Sequence, residues 1–279
     1  MDFVTVAGDP KAGRARLVAL LHEMPSIAVA FSGGVDSSFL LAMAVHEQRA
    51  SVIAVTGVSA SLSSHASERA IRVAKTIGAE HLLLATAEGD HPQYVANGLD
   101  RCFFCKGELF QQMAQHPAMQ GRIILDGFNH SDYLQHRPGH QAAQDAGVRS
   151  PLAEAGLTKP MIRELSEEMG LETAHIPASP CLASRVQIGV PVTSEGLSQI
   201  EVAEDAVRSL GFSDFRVRQL SEGARVEFAS SEHRLLNDHR IRDAVVEAVE
   251  RAGFEGVNID SRPLVSGRLV LEEGSTRTR

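Results

Sequence analysis

The sequence predicts an α/β fold with a doubly wound parallel sheet, followed by a smaller α+β domain. Short apolar runs alternate with amphipathic helical patterns over residues 26–170, an order that produces parallel strands joined by crossover helices. The first apolar run ends in a glycine-rich turn, the position at which open α/β sheets bind ligands. The pattern changes later in the chain, so we expect one domain over 1–188 and a second over 189–279.

Each element of the first domain follows from its own pattern. Four apolar runs predict strands at 26–32, 51–59, 80–86 and 121–129. Helical periodicity predicts helices at 37–48, 64–79, 105–116 and 158–170. The last of these has Thr158 at its cap and Pro160 in its first turn, as helix starts prefer.

The second domain shows a different order. Helical patterns at 193–212 and 231–254 flank two strand-like runs at 214–220 and 224–230, and a last strand is predicted in 257–267. Adjacent strand runs of this length predict a small sheet that packs against the helices. We expect this domain to bind substrate or to mediate oligomerisation.

Composition restricts the class of protein. The net charge is −8 and no apolar run approaches the ~20 residues that cross a bilayer. The first residues lack the charged-then-apolar order of a secretory signal. We therefore expect a cytoplasmic protein with reduced thiols and a small-molecule substrate rather than a nucleic acid, which usually requires a basic face.

The turn "FSGGVDSS" predicts a nucleotide site. Two glycines expose backbone N–H groups at a helix N-terminus, where phosphates bind. The carboxylate in this turn suggests Mg²⁺, which would neutralise pyrophosphate. The pattern SGGxDS resembles the PP-loop of the ATP pyrophosphatases, and the candidate ATP-binding residues are Ser32, Gly33, Gly34, Asp36, Ser37 and Ser38.

Three cysteines form the second candidate site. Cys102 and Cys105 in "CFFCK", with Cys181 in "ASPCLASR", are all the cysteines of the chain. They are compatible with a redox pair, a zinc site completed by a histidine such as His175, or three unconnected thiols. Three thiolates with one open position also suit a 4Fe-4S cluster that binds a non-protein ligand.

Several charged residues are further candidates. Lys106 could neutralise phosphates or be an ordinary surface lysine, and Asp126 could contact ribose or metal or simply form a turn. Arg185 could hold a phosphate or carboxylate and favour the Cys181 thiolate, or lie at the surface.

A later strand carries another candidate pair. Arg216 and Arg218 alternate along it, so their side chains share one face and suit a phosphate. The alternative is a solvated basic face. Glu201 and Glu204, one helical turn apart, suit either a metal ligand or a solvated acidic face.

Long strings of the chain resemble the LarE family, PP-loop sulfur transferases of nickel-pincer nucleotide cofactor synthesis. The resemblance extends over nearly the whole chain and rests on the PP-loop, "DRCFFCK", "RSPLAEAGLTK" and "ASPCLASR". It implies an adenine nucleotide alpha hydrolase-like fold and a homo-oligomer. It also implies that a lysine belongs to the family pattern at position 106, and that Arg216 and Arg218 form a phosphate-binding pair.

The resemblance also implies the reaction. ATP with Mg²⁺ adenylates the carboxylates of pyridinium-3,5-biscarboxylic acid mononucleotide, and sulfur then displaces AMP to give thiocarboxylates. Members with three cysteines are thought to use a 4Fe-4S cluster that carries sulfide, whereas members with one sacrifice its sulfur. The presence of Cys102, Cys105 and Cys181 favours the cluster. A PP-loop tRNA thiolase and a non-catalytic nucleotide sensor are the alternatives.

Overall fold

The computed structural model describes residues 8–47, 51–134, 137–265 and 267–269. The chain divides into two compact units that are interleaved in sequence. Unit 1 comprises Met1–Val58, Ser64–Thr86 and Cys102–Ile176, and unit 2 comprises Ser59–Ser63, Ala87–Arg101 and Pro177–Arg279. The predicted contiguous domains, 1–188 and 189–279, stay predictions, as do the roles assigned to them.

The sheet of unit 1 confirms the predicted α/β fold. Its four strands are all parallel, in the order β3-β2-β1-β4. They are β1 (Ile27–Ala30), β2 (Val52–Val58), β3 (Glu80–Ala85) and β4 (Ile123–Leu125). Since β2 and β4 lie on opposite sides of β1, the strand order reverses there, and the carboxyl ends of β1 and β4 flank a crevice suited to a ligand.

Helices cover both faces of this sheet because β1 is apolar on both faces. Ile27 and Val29 belong to one buried cluster and Ala28 and Ala30 to another, as the alternation of side chains along a strand requires. The helices are α1 (Pro10–His22), α2 (Val35–Glu47), α3 (Ser64–Ile77), α5 (Arg101–Gln115), α6 (Pro138–Asp145), α7 (Pro151–Glu154) and α8 (Lys159–Glu168). Helix α5 begins four residues before the predicted start at 105, and Arg101 itself belongs to unit 2.

Unit 2 contains a three-stranded sheet in the order β5-β6-β7. Strands β5 (Phe215–Gln219) and β6 (Ala224–Phe228) are antiparallel, and β7 (Val257–Ile259) is parallel to β6. The helices are α4 (Pro92–Val95), α9 (Ser194–Ser209) and α10 (His239–Arg251). The predicted paired strands are therefore present, and the predicted last strand is shorter than 257–267, of which residue 266 lies outside the described residues.

The predicted helix over 231–254 was wrong at its start. Helix α10 begins at His239 because the Asp238 side chain caps it, accepting from the Arg240 N–H at 2.9 Å. Upstream of α10, the Glu232 carboxylate accepts from the Ser213 and Asp214 N–H groups at 3.0 and 3.1 Å. These bonds hold the residues around Glu232 against the turn that precedes β5. Among the helices of the described residues, none is long and apolar enough to cross a membrane.

Candidate active site

The glycine turn lies between β1 and α2, as predicted. Gly33 has φ +66°, and a Cβ at this position would lie 3.0 Å from the Ala70 Cα of α3. Both the left-handed backbone and the close approach therefore require glycine. The turn thus places its N–H groups at the start of α2, where the helix dipole favours an anion.

Two serines stabilise the shape of this turn. Ser37 Oγ accepts from the Ser32 N–H at 3.3 Å and lies 3.2 Å from Ser32 Oγ. Ser37 Oγ also donates to the Gly34 carbonyl at 3.2 Å. Ser38 is fully buried on α2, so that the predicted phosphate contact of its hydroxyl stays a prediction.

Asp36 is paired with a residue that sequence reasoning missed. Its Oδ2 forms an ion pair with Nζ of Lys159, the first residue of α8. Its Oδ1 accepts from Asn129 Nδ2 at 3.3 Å. Burial raises the pKa of Asp36 above 3.8, and the Lys159 ammonium opposes that rise. A carboxylate of the glycine turn and an ammonium of α8 therefore lie side by side.

The predicted Mg²⁺ is compatible with this carboxylate. Mg²⁺ commonly binds one or two protein carboxylates together with phosphate oxygens and water. Within the described ranges, no three His, Cys, Asp or Glu side chains converge as a metal-binding group. Asp36 is the carboxylate that the glycine turn offers to the ion, and the Mg²⁺ itself stays a prediction.

Asp126 and Gly127 follow β4, and Gly127 lies against the start of α2. Asp126 is buried, and its Oδ1 accepts from Ser150 Oγ at 2.7 Å and from the Phe128 N–H at 3.1 Å. These bonds favour a role in shaping the loop, and its predicted contact with ribose or metal stays a prediction. A Cβ on Gly127 would lie 3.0 Å from the Ser37 nitrogen, so the first turn of α2 would have to shift by a few tenths of an ångström to accept a side chain.

We expect Gly127→Ala to weaken ATP binding about tenfold and to destabilise the protein by ~1–3 kcal/mol. The added methyl group would push against the Ser37 backbone at 3.0 Å and Cα at 3.3 Å, and backbone cannot rotate away as a side chain can. Calorimetric ATP titration and thermal unfolding measure the two effects. Gly89→Ala is the matched control because nothing lies within 4 Å of its added Cβ. Equal ATP affinity in both variants would contradict the role of Gly127 in shaping the ATP site.

The first two cysteines lie on one face of α5. Cys102 is exposed and Cys105 is half-buried, and residues three apart on a helix are neighbours. Gly139 of α6 packs against this face, since its Cβ would lie 2.9 Å from Lys106 Cγ and 3.3 Å from the Cys102 carbonyl oxygen. The Lys106 ammonium lies 5.4 Å from the Phe110 ring centre.

Cys181 is exposed in unit 2, on a loop that Arg185 stabilises. Arg185 is only 4% exposed. Its Nε and Nη2 donate to both oxygens of Glu204 at 3.0 and 3.2 Å, and its Nη1 donates to the carbonyls of Pro180 and Cys181. These contacts favour a positioning role over the predicted direct contact with substrate, which stays a prediction. Glu204 is buried, so that the solvated acidic face considered for it was wrong.

In the arginine pair of β5, Arg218 is buried and Arg216 is partly buried, so the pair is not a fully solvated basic face. Arg218 is 5% exposed; its Nε and Nη2 donate to Glu227 and its Nη1 donates to the Ser184 carbonyl at 2.9 Å. Arg216 Nη2 donates to the Ala178 carbonyl. Burial, then the nearby Arg185 and, more weakly, Arg218 cations, lower the pKa of Arg216 to about 10. Unit 2 therefore concentrates guanidinium groups beside the loop that carries Cys181.

Comparison with known proteins decides the family. The profile of the asparagine synthase family matches residues 18–104, which include the glycine turn. A pyridinium-3,5-bisthiocarboxylic acid mononucleotide synthase of Lactiplantibacillus plantarum is 33% identical over 92% of this chain and 93% of its own length. The chain belongs to the LarE family of ATP-dependent sulfur transferases. The resemblance read from the sequence strings is thus confirmed.

Two other relatives of this LarE protein are uncharacterized. One, from Synechocystis sp., is 36% identical over 88% of this chain and 92% of its own length. The other, from Methanocaldococcus jannaschii, is 25% identical over 84% of this chain and 88% of its own length. The similarity covers most of each chain, so it includes residues of both units.

The structure brings together some predicted residues of this LarE protein within one unit and assigns others to different units. The glycine turn, Asp36 and the loop after β4 assemble within unit 1. The guanidiniums of Arg185, Arg216 and Arg218 assemble within unit 2. Cys102 and Cys105 belong to unit 1 and Cys181 to unit 2, so the convergence of the three sulfurs beside the glycine turn stays a prediction.

Lys159 is the functional candidate that sequence reasoning missed. It lies in the string "RSPLAEAGLTK", which identified the family without indicating a role for the lysine. The chain has four lysines, and that scarcity is the one signal that pointed to individual lysines. Its partner, Asp36, is more than a hundred residues earlier, and no local spacing connects the two.

Proposed function

We propose that this chain uses ATP to convert the carboxylates of pyridinium-3,5-biscarboxylic acid mononucleotide into thiocarboxylates. The observation that carries the proposal is the 33% identity, over almost the full length, to a relative named as the synthase of the bisthiocarboxylic acid mononucleotide. The phosphate-binding geometry of the glycine turn supports the ATP-dependent half of the reaction.

In the first step, a substrate carboxylate oxygen attacks the α-phosphorus of ATP and pyrophosphate leaves. The N–H groups at the start of α2 hold phosphate oxygens, and Lys159 offsets their negative charge. Mg²⁺, when bound at Asp36, would neutralise the leaving pyrophosphate. In the second step, a sulfur nucleophile attacks the acyl carbon of the adenylate, the C–O bond to AMP breaks, and the thiocarboxylate remains.

The phosphate of the mononucleotide would bind the guanidiniums of unit 2. With a pKa of about 10, Arg216 stays charged at neutral pH. Its Nη1 lies 3.6 Å from an Asp214 oxygen, and its main bonds run to backbone carbonyls, which carry no full negative charge. A phosphate is the group that would best compensate this cation.

We expect Arg216→Gln to raise the KM for the mononucleotide ~10- to 100-fold with little change in kcat, since a charged phosphate contact is lost. Wild-type affinity should also fall as pH rises through about 10, because the depressed pKa deprotonates the guanidinium there. Steady-state kinetics measure both effects. The dephosphorylated nucleoside is the control and should bind the two proteins equally. A loss of affinity for the nucleoside as large as the loss for the mononucleotide would contradict the phosphate role.

For the sulfur source we propose the three-cysteine route. Cys102, Cys105 and Cys181 would supply the three thiolates that a 4Fe-4S cluster with one open iron requires. Anaerobic purification followed by iron and sulfide analysis tests this: about four irons per chain are expected, lost in Cys102→Ser. A colourless protein that loses the mass of H₂S from Cys181 in one turnover would instead support the sacrificial route.

The proposed function is tested by pyrophosphate release. We expect release that depends on the pyridinium mononucleotide, together with a product in which sulfur replaces a carboxylate oxygen by mass spectrometry. Release without this substrate but with co-purified tRNA would favour the thiolase, and ATP binding without release would favour a sensor. A cytoplasmic location and a homo-oligomeric state remain predictions from the sequence.

A further inference from the structure

Cys181 lies at the exposed start of a loop whose backbone is held by side chains of unit 2. The residues that follow it, Leu182 and Ala183, are 1% and 0% exposed. Between residues 180 and 190, seven carbonyl groups accept hydrogen bonds from only four side chains. Those four side chains are Asn97, Arg101, Arg185 and Arg218, and the first two have no role in the proposed reaction.

Asn97 makes the largest share of these contacts. Its Nδ2 donates to the carbonyls of Gln187 at 2.8 Å, Val190 at 2.9 Å and, more weakly, Val186 at 3.4 Å. The backbone carbonyl of Asn97 accepts from the Gly189 N–H at 3.1 Å. The side chain is completely buried, so these bonds replace water on both partners.

The backbone at Asn97 adopts a conformation in which glycine is common. Its φ is +55°, and it is the sole non-glycine residue with positive φ among the described residues. Glycine would adopt this conformation without steric cost, and asparagine is one of the few other residues that adopt it. An amide at this position therefore contributes what glycine lacks, a set of donors aimed at the loop.

Arg101 orients that amide. The Arg101 Nη1 donates to Asn97 Oδ1 and to the Ala183 carbonyl at 2.9 Å. Since a guanidinium has donors only, it can face the oxygen of the amide and not its nitrogen. The Asn97 NH₂ group is thereby directed towards the loop carbonyls. Arg101 is 8% exposed, so water competes little for these bonds.

We infer that Asn97 and Arg101 are positioning residues that fix the loop carrying Cys181, so that its thiol is held in one place for sulfur transfer. The inference rests on the proposed function and goes beyond it by naming two residues that touch neither substrate nor sulfur. Misplacing a reacting group by about 1 Å costs on the order of 100-fold in rate. A nucleophile on an exposed loop needs such support because loops are otherwise mobile.

Asn97→Gly is the sharpest test because glycine fits the left-handed backbone and removes only the side-chain bonds. We expect backbone amide exchange in residues 182–190 to accelerate about tenfold or more, with exchange in the β1 segment unchanged. Sulfur transfer should fall on the order of 100-fold, while pyrophosphate release and the KM for ATP keep their wild-type values. Asn237→Gly makes the same change at an exposed position and should alter neither amide exchange in residues 182–190 nor sulfur transfer.

A second pair of variants covers the case in which Asn97→Gly does not fold. Arg101→Lys retains a cation that can reach either Asn97 Oδ1 or the Ala183 carbonyl, whereas Arg101→Met has no hydrogen-bond donor in its side chain. Exchange and sulfur transfer should be closer to wild type in the lysine variant. Unchanged exchange in residues 182–190, or full sulfur transfer despite faster exchange, overturns the inference. If wild type itself transfers no sulfur, the proposed function fails, and the exchange data still test the contacts.

Discussion

Replacing Cys181 with alanine is expected to abolish thiocarboxylate formation while substrate-dependent pyrophosphate release continues. Both sulfur routes require this thiol, one as cluster ligand and the other as the donor itself, whereas the adenylation step proposed for the glycine turn involves no thiol. The side chain is exposed, so the change should shift the melting temperature little. Pyrophosphate release and product mass, measured on one sample, separate the two half-reactions.

Cys102→Ser is the informative comparison for this variant. It should also abolish multiple-turnover sulfur transfer if the thiol binds a cluster, and it should leave a single turnover intact if Cys181 is sacrificed. Sulfur transfer that persists in Cys181→Ala would refute both routes. Loss of pyrophosphate release in the same variant would show that the cysteine supports adenylation instead.

Removing the Lys159 ammonium is expected to lower the rate of pyrophosphate release by ~100-fold or more, the scale seen when one preorganised charge at a transition state is lost. Lys159→Ala also leaves Asp36 without the cation that opposes the rise of its pKa. The carboxylate must be ionised to hold Mg²⁺, so the acidic limb of the pH–rate profile should move to higher pH. A profile of kcat/KM against pH measures the shift.

Stability should respond to pH in a defined direction. The folded pKa of Asp36 is raised above its unfolded value of 3.8, so folding takes up a proton on this group, and its contribution to stability declines as pH rises through the folded pKa. In Lys159→Ala this decline should be larger. Lys75→Ala, an exposed lysine of α3, is the control. An unchanged acidic limb together with wild-type pyrophosphate release would exclude a role for the ion pair.

The sequence predicted the parallel sheet and the nucleotide turn because both depend on local order. Alternating apolar runs determine strand and helix type, and the glycines of the turn are needed wherever the backbone approaches a ligand or a helix. It failed at the start of α10, where a capping aspartate makes the helix begin at His239, eight residues later than periodicity alone indicates. It also missed Lys159 and the buried state of Glu204.

By itself, then, the sequence determined the class of chemistry: a phosphate turn, three thiols and two alternating arginines, each recognisable from residue type and spacing. The tertiary structure alone decided which charges meet. The pairing of Asp36 with Lys159, and the hold of Asn97 and Arg101 on the Cys181 loop, join residues 82 to 123 positions apart. Such contacts leave no periodicity in the chain, because a hydrogen bond or ion pair depends on distance in space and not on separation in sequence.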